Sequence, residues 1–381
     1  MVKLRALIGV LLPFTMSASS VFSISFFVSQ LSSYLRTPDY AVLAVFPIDF
    51  IGGAVGGVVF GYLADRVGRR PALLASTLTF GLSVAAASAV RSLLELYVAW
   101  FLVGFGVNAQ NGVYYPVIVE LLKRFQGSLG GLVQGLYFIG YMVDVALYSV
   151  APFWRAYFLA VGAIAVATSA SILLVPETAT PSVGPRLGLK AFDRGLTLMT
   201  VGLSAVVVGA FMFSIPLLSL VPSFITTMGL SESWLILLAG LGFIGFVVAG
   251  LASDLVGRPR TAALLSLAGL ASSVGLLMFG RGCWGLLVLS ASYFSSGYFS
   301  FTGVWASETY PAELRATGTN LVFLVGRVVG GFSPTLAALI YPRSLRVGTA
   351  LISVIANALA LVGVLIYMWG ARVRVAPKGR S

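Results

Sequence analysis

The stretch "GYLADRVGRR", Gly61 to Arg70, places one acid and three arginines in ten residues of a chain in which only 9% of residues are charged. "GLASDLVGRP", Gly250 to Pro259, repeats the pattern 189 positions later, pairing Gly61 with Gly250, Asp65 with Asp254, Gly68 with Gly257 and Arg69 with Arg258. Glu120 and Glu308 form a further pair at offset 188. An offset close to half of 381 residues marks an internal duplication. Two charged segments at matched places in an apolar chain are what remains when the rest of each copy lies where charge is expensive.

Composition says where that is. With 59% hydrophobic residues and a mean hydropathy of +1.00, the chain is too apolar for a soluble domain, whose apolar share is roughly 45–50%. Charge-poor windows long enough to cross a hydrocarbon core as helices recur along it. Twelve are expected, over 6–31, 41–63, 71–90, 93–119, 128–150, 153–175, 196–221, 233–252, 261–280, 283–306, 317–340 and 347–369. The apolar run that opens the chain continues to Leu31, too far for a signal peptide, so it is read as the first span. The fold expected is an all-α membrane protein of twelve transmembrane helices in two pseudo-symmetric six-helix halves. The halves are 1–175 and 196–370, joined by a Pro- and Gly-rich linker at 176–195 and followed by a tail at 371–381.

The net charge of +12 could suggest nucleic acid, but the basic residues alternate by side. Seventeen Lys and Arg fall in the loops and tails on one side, including Arg66, Arg69, Arg70, Arg258 and Arg315, and six on the other. This bias places both termini in the cytoplasm of a multi-pass cell-membrane protein, with the lipid bilayer rather than nucleic acid as partner. The chain has no histidine and a single cysteine, Cys283, so neither metal catalysis nor a Cys/His nucleophile is expected. No metal, no cofactor and no enzyme activity are expected, and the chain is read as a monomer.

The pattern GxLADRxGRR between spans two and three resembles the signature loop of the major facilitator superfamily, and the weaker copy between spans eight and nine supports it. Glu177 in "PET" and "SETYPAELRATG" from Ser307 look like its metabolite and sugar-porter side, whereas span seven, where sugar porters usually carry a glutamine-rich stretch, reads "FMFSIPLLSLVPSF" from Phe211 and is closer to the organic-acid and metabolite:proton symporters. Where many proton-coupled members carry an arginine in span four, this chain has Trp100. The resemblance implies a conformational latch at Gly61, Asp65, Arg66, Gly68, Arg69, Arg70, Glu120, Asp254, Gly257, Arg258, Glu308 and Arg315. Asp65 would meet the N-terminus of span eleven, where the helix dipole is positive, and Glu120 and Glu308 would meet arginines. Capping a turn and marking the inner face are the simpler reading of the same charges.

Ionisable groups deep in a span are expensive and point to function. Three qualify: Asp49, Asp144 and Arg327. Gln134, Tyr137, Tyr141, Asp144 and Tyr148 share one helical face in span five, which is expected to line a cavity; a hydrogen bond from Asp144 to a neighbouring helix is the alternative. Asn108 and Asn111 in span four, and Tyr298 and Trp305 in span ten, complete the expected pathway, although polar residues of this kind also bridge helices. Gly52, Gly56, Gly326 and Gly330 permit close helix approach, and in the resembled family spans two and eleven meet, which would bring Asp49 to Arg327.

The function expected is secondary transport by alternating access of a small organic anion together with protons, driven by the proton gradient. With no histidine, the proton would ride on Asp49 or Asp144. A sugar or neutral-solute porter with Arg327 paired permanently to Asp49 is the alternative. Drug or cation efflux suits a central arginine less, a sensor would bring a soluble domain, and an intramembrane enzyme fits worst.

Overall fold

The computed structural model describes residues 2–121, 126–175, 193–311 and 315–375; within its helices, the side chains of 2–7, 65, 108–121, 315–317, 320 and 375 lie outside the description. The linker expected at 176–195 and the tail at 371–381 fall largely outside it. Among the described residues all regular structure is helical. With no water in hydrocarbon to satisfy the backbone, a spanning segment must close its hydrogen bonds within itself.

Among the described residues the twelve expected spans are built from sixteen α-helices, some spans being broken. Span one is α1 (Val2–Phe22), with a 3-10 turn and α2 (Val28–Leu35) beyond it. Span two is α3 (Asp39–Leu43) and α4 (Val45–Val67). Spans three to six are α5 (Arg69–Ala87), α6 (Leu93–Leu121), α7 (Gln126–Val150) and α8 (Trp154–Thr168). Spans seven to nine are α9 (Arg194–Phe224), α10 (Trp234–Val256) and α11 (Arg258–Met278). Span ten is α12 (Gly282–Ser295), a 3-10 turn and α13 (Thr302–Thr309). Span eleven is α14 (Arg315–Gly331) and α15 (Ser333–Ile340), and span twelve is α16 (Leu345–Val375).

The 3-10 breaks share a cause that hydropathy does not show. In span one, Ser17, Ser20 and Ser23 donate to the carbonyls of Phe14, Met16 and Ser20, at 2.7, 2.8 and 3.0 Å. In span ten, Ser292, Ser295, Ser296 and Thr302 do the same to Val288, Ser292, Tyr293 and Phe299. Thr168 and Ser171 repeat it where α8 gives way to 3-10. Such hydroxyls compete for the carbonyls of the preceding turn and bend the helix.

The duplication is visible in the packing. Span five lies against span eight and span two against span eleven, pairs that exchange under the repeat. Toward the face bearing the termini, Gly127 and Gly250 bring α7 and α10 into backbone contact. Toward the opposite face, the Ser223 hydroxyl reaches the Ser25 carbonyl at 3.4 Å and Thr335 the Leu43 carbonyl at 3.1 Å. Between these levels Phe50 meets Phe211 edge-on with ring centroids 5.6 Å apart. Span seven runs through this interface, and every residue from Val206 to Val221 is buried.

The small residues do permit close approach, but chiefly between spans of the same half rather than between spans two and eleven. Gly52 and Gly56 face the backbone of Phe101 and Phe105 in span four, and Gly104 faces that of Asp49, so they join spans two and four of the same half. Gly326 and Gly330 face Val207 and Phe211 of span seven, and it is Gly331 that meets Phe50 across the halves. A one-residue shift turns a helix face by about 100°, so the spacing of glycines shows a close contact without naming the partner.

Candidate functional site

Gly68 and Gly257 precede α5 and α11 with φ values of 115° and 99°, a region in which a Cβ would be strained. The repeated glycine is therefore required by the turn at both places. It carries the chain from one span straight into the next and leaves Asp254 and Arg258 on one side of the corner.

Asp254 binds the other half. Its two oxygens accept from the backbone N–H of Gly127 at 3.0 Å and of Ser128 at 2.8 Å, and from the Ser128 hydroxyl at 2.8 Å. These N–H groups belong to the first turn of α7, where no intrahelical acceptor exists and the helix end is positive. Arg258 steadies the acid at 2.7 Å and grips both oxygens of Glu308, at 3.2 and 2.8 Å. The pairing of Arg258 with Glu308 is thus as expected, and Asp254 does for span five what was expected of Asp65 for span eleven. A Cβ added at Gly61 would have no neighbour within 4 Å among the described residues, Arg66 lies over the Tyr62 ring at 4.6 Å, and Arg69 and Arg70 are half-buried. The side chains of Asp65, Glu120 and Arg315 lie outside the described residues.

An acid acting as the cap of another helix gives a direct test. Asp254→Asn and Ser128→Ala should each destabilise the protein by about 0.5–2 kcal/mol in reversible unfolding, and their double mutant should lose less than the sum because they share one interaction. Additive losses would mean that this cap does not form in solution.

At the centre, Asp49 is 1% exposed and its Oδ1 has no hydrogen-bond partner, while Arg327 is the cation whose field acts on it. The half-buried guanidinium also sits over the Phe323 ring at 5.8 Å. A carboxylate and a guanidinium from opposite halves thus lie within electrostatic reach of each other, each well inside its own span. Trp100 is buried and its indole donates to the Val21 carbonyl at 3.3 Å.

The model of the Major Facilitator Superfamily matches residues 6–334. The chain belongs to that superfamily. This facilitator is 25% identical to the niacin transporter NiaP of Acinetobacter baylyi, over 75% of each chain, and 25% identical to the 3-(3-hydroxy-phenyl)propionate transporter of Escherichia coli, over 82% of this chain and 79% of that one. The xylose transporter XylE of Escherichia coli, in a partially occluded inward-open conformation, superimposes with a TM-score of 0.76 at 16% identity, covering 100% of this chain and 99% of that one, which shows the fold. The facilitator is a secondary transporter rather than an enzyme.

Its remaining polar residues divide into two groups. Asp144 is fully buried, its Oδ1 accepting from Ser19 in span one at 2.6 Å and from Tyr157 in span six at 2.8 Å, so the bond to a neighbouring helix describes that oxygen. Tyr141 is fully buried one turn away, beside Tyr293 of span ten, and Gln134 and Tyr137 continue the face toward the terminal side. Periodicity identified this face; Tyr157 and Tyr293 carry no signal that assigns them to it. Tyr298 and Trp305 turn into the C-terminal half, Tyr298 stacking on Phe213 at 6.3 Å and Trp305 meeting Tyr367 edge-on at 4.7 Å. The side chains of Asn108 and Asn111 lie outside the described residues. Among the described residues no cluster of His, Cys, Asp and Glu could hold a metal.

Proposed function

We propose that this protein carries a small organic anion across the cell membrane together with protons, by rocking one half against the other, with both termini in the cytoplasm. The observation that carries the reading is Arg327, a guanidinium held mid-span beside buried Asp49 where the halves meet. A charge at a helix centre costs about 2.5–3.5 kcal/mol even on the lenient insertion scale. A planar two-point donor is suited to offset that cost by taking a carboxylate. Niacin and 3-(3-hydroxy-phenyl)propionate, named for two relatives, are both carboxylic acids.

Alternating access needs contacts that one state has and another lacks. The Asp254 cap on span five and the hydroxyl bonds at the far ends of spans one with seven and two with eleven are suited to that use. The chain works as a monomer without a cofactor, the proton gradient supplying the energy and Asp49 or Asp144 the carboxyl. One observation favours a neutral-solute porter: Arg327 already has the Asp49 carboxyl within its field, so no substrate anion is required to balance it.

A thermal-shift panel on the purified protein decides between them. A ligand at 100 times its dissociation constant stabilises by about 2.7 kcal/mol. Nicotinate and 3-(3-hydroxyphenyl)propionate should raise the unfolding temperature and their methyl esters should not. Stabilisation by xylose or another neutral sugar, with none by carboxylates, would select the porter instead.

A further inference from the structure

Two buried polar atoms on the same face of α7 lack partners: Oδ2 of Asp144 and the hydroxyl of Tyr141. They stand three residues apart, the spacing at which helix side chains are neighbours. Oδ1 of Asp144 is already committed to Ser19 and Tyr157. Tyr141 adjoins Tyr293, across the boundary between the halves, without a hydrogen bond of normal geometry. Tyr293 is itself fixed, donating to the Leu217 carbonyl of span seven at 2.6 Å. The oxygen of Tyr293 thus keeps a lone pair free for a donor.

We propose that Asp144 carries the coupled proton and that Tyr141 reports its charge to the opposite half, donating to Oδ2 when the carboxyl is ionised and to Tyr293 when it is protonated. This deepens the proton-coupled reading and rests on it. One proton from the aqueous phase on one side binds Oδ2, the carboxyl passes from charge −1 to 0, and the same proton leaves to the phase on the other side. No covalent bond other than the O–H bond is made or broken.

The surroundings allow the carboxyl to act as a switch. From α1 it faces Ser19, from α8 Tyr157, from its own helix Tyr141 and, behind that, Tyr293 from α12. The 3-10 turn after α1 presents Phe26 to Tyr141, α10 presents Phe243 and Phe246 to the neighbouring turns of α7, and the turn before α13 presents the Ser300 carbonyl near Gly130. Among the described residues, no Lys or Arg acts on Asp144. Asp49, by contrast, has Arg327. An ionised carboxylate held by two neutral donors on one oxygen needs a further donor on the other, and Tyr141, one turn away on the same helix face, has a hydroxyl without a partner. Supplying it removes a hydroxyl from the boundary between the halves. Protonation returns it, and the equilibrium between conformations responds. Ser19 and Tyr157 are positioning residues, which hold the carbonyl oxygen so that the proton resides on the oxygen facing Tyr141.

The full chain in lipid nanodiscs, without any substrate, provides the test. Infrared difference spectra between acid and alkaline pH should contain a carboxylic-acid carbonyl band that Asp144→Asn removes. Tyr157→Phe and Ser19→Ala should each move that band to higher frequency, because each deletes a hydrogen bond to the carbonyl oxygen. Hydrogen exchange in segments 126–150 and 282–295, corrected for its intrinsic dependence on pH, should differ roughly two- to tenfold between the two conditions, the range that one exchanged hydrogen bond supports. Tyr141→Phe and Tyr293→Phe should abolish that difference and leave the infrared band in place. A band that survives Asp144→Asn, or a pH-dependent exchange that survives Tyr141→Phe, overturns the proposal. If Asp144→Asn does not fold, an unshifted band in both Tyr157→Phe and Ser19→Ala overturns it equally. Neither readout involves an anion, so loss of the organic-anion reading in the ligand panel leaves this result standing, and the reverse is also true.

Discussion

Replacing Arg327 with leucine is expected to lower the affinity for a carboxylate substrate about ten- to hundredfold, since a hydrogen bond to a charged group is worth about 1.5–3 kcal/mol and each 1.4 kcal/mol is a factor of ten. The same change leaves Asp49, 1% exposed, without the cation that acts on it. Breaking a buried pair from one side is destabilising by about 3–5 kcal/mol, whereas replacing both partners by apolar groups is often neutral. The double variant Arg327→Leu with Asp49→Leu should therefore regain folding and still fail to bind the anion. Arg327→Lys should keep the charge and lose the two-point contact, leaving affinity well below wild type. Uptake of nicotinate or 3-(3-hydroxyphenyl)propionate at wild-type affinity in the leucine variant would remove Arg327 from the site.

An equally large effect, on folding rather than binding, is expected at Gly104. A Cβ there would overlap the backbone of Asp49, and one at Gly56 the backbone of Phe105. Overpacking against movable side chains costs about 1–3 kcal/mol, but a helix backbone has no rotamer to yield, so spans two and four would have to separate. Gly104→Val should accordingly give little monodisperse protein in detergent. Gly57, on the same helix as Gly56 but at a place where an added Cβ would meet no described neighbour within 4 Å, is the control. Gly57→Ala should be tolerated and could gain up to about 1 kcal/mol from the greater helix propensity of alanine. Equal yields from Gly104→Val and Gly57→Ala would contradict the backbone contact between spans two and four. That outcome would also place Asp49 elsewhere, since its own carbonyl is the atom Gly104 meets.

What could be read from the chain follows from the range of each physical signal. Hydrophobic windows report burial in hydrocarbon one residue at a time, so the spans emerged directly. The repeat located Gly68 and Gly257, which share a positive φ because the same corner is built twice. The proximity of Asp49 to Arg327 came through the resemblance, as 278 residues separate them and no local pattern links them. Helical spacing put Tyr141 and Asp144 on one face without saying that Ser19, Tyr157 and Tyr293 would meet it. For the same reason the spacing of the glycines of span two did not name span four as the helix they meet. Breaks in spans one, six and ten were missed because serine hydroxyls bending a helix leave hydropathy nearly unchanged.

Burial on every side from Val206 to Val221 also bears on how this transporter can change over generations. Most helices offer selection a lipid-facing side on which substitutions are nearly silent, but this stretch has none. With Phe50, Phe299, Tyr298 and the helix Leu345–Val375 crowded around it, a larger or polar residue meets resistance whichever way it points. New substrate preferences are therefore expected to arise more readily through neighbouring helices than through span seven.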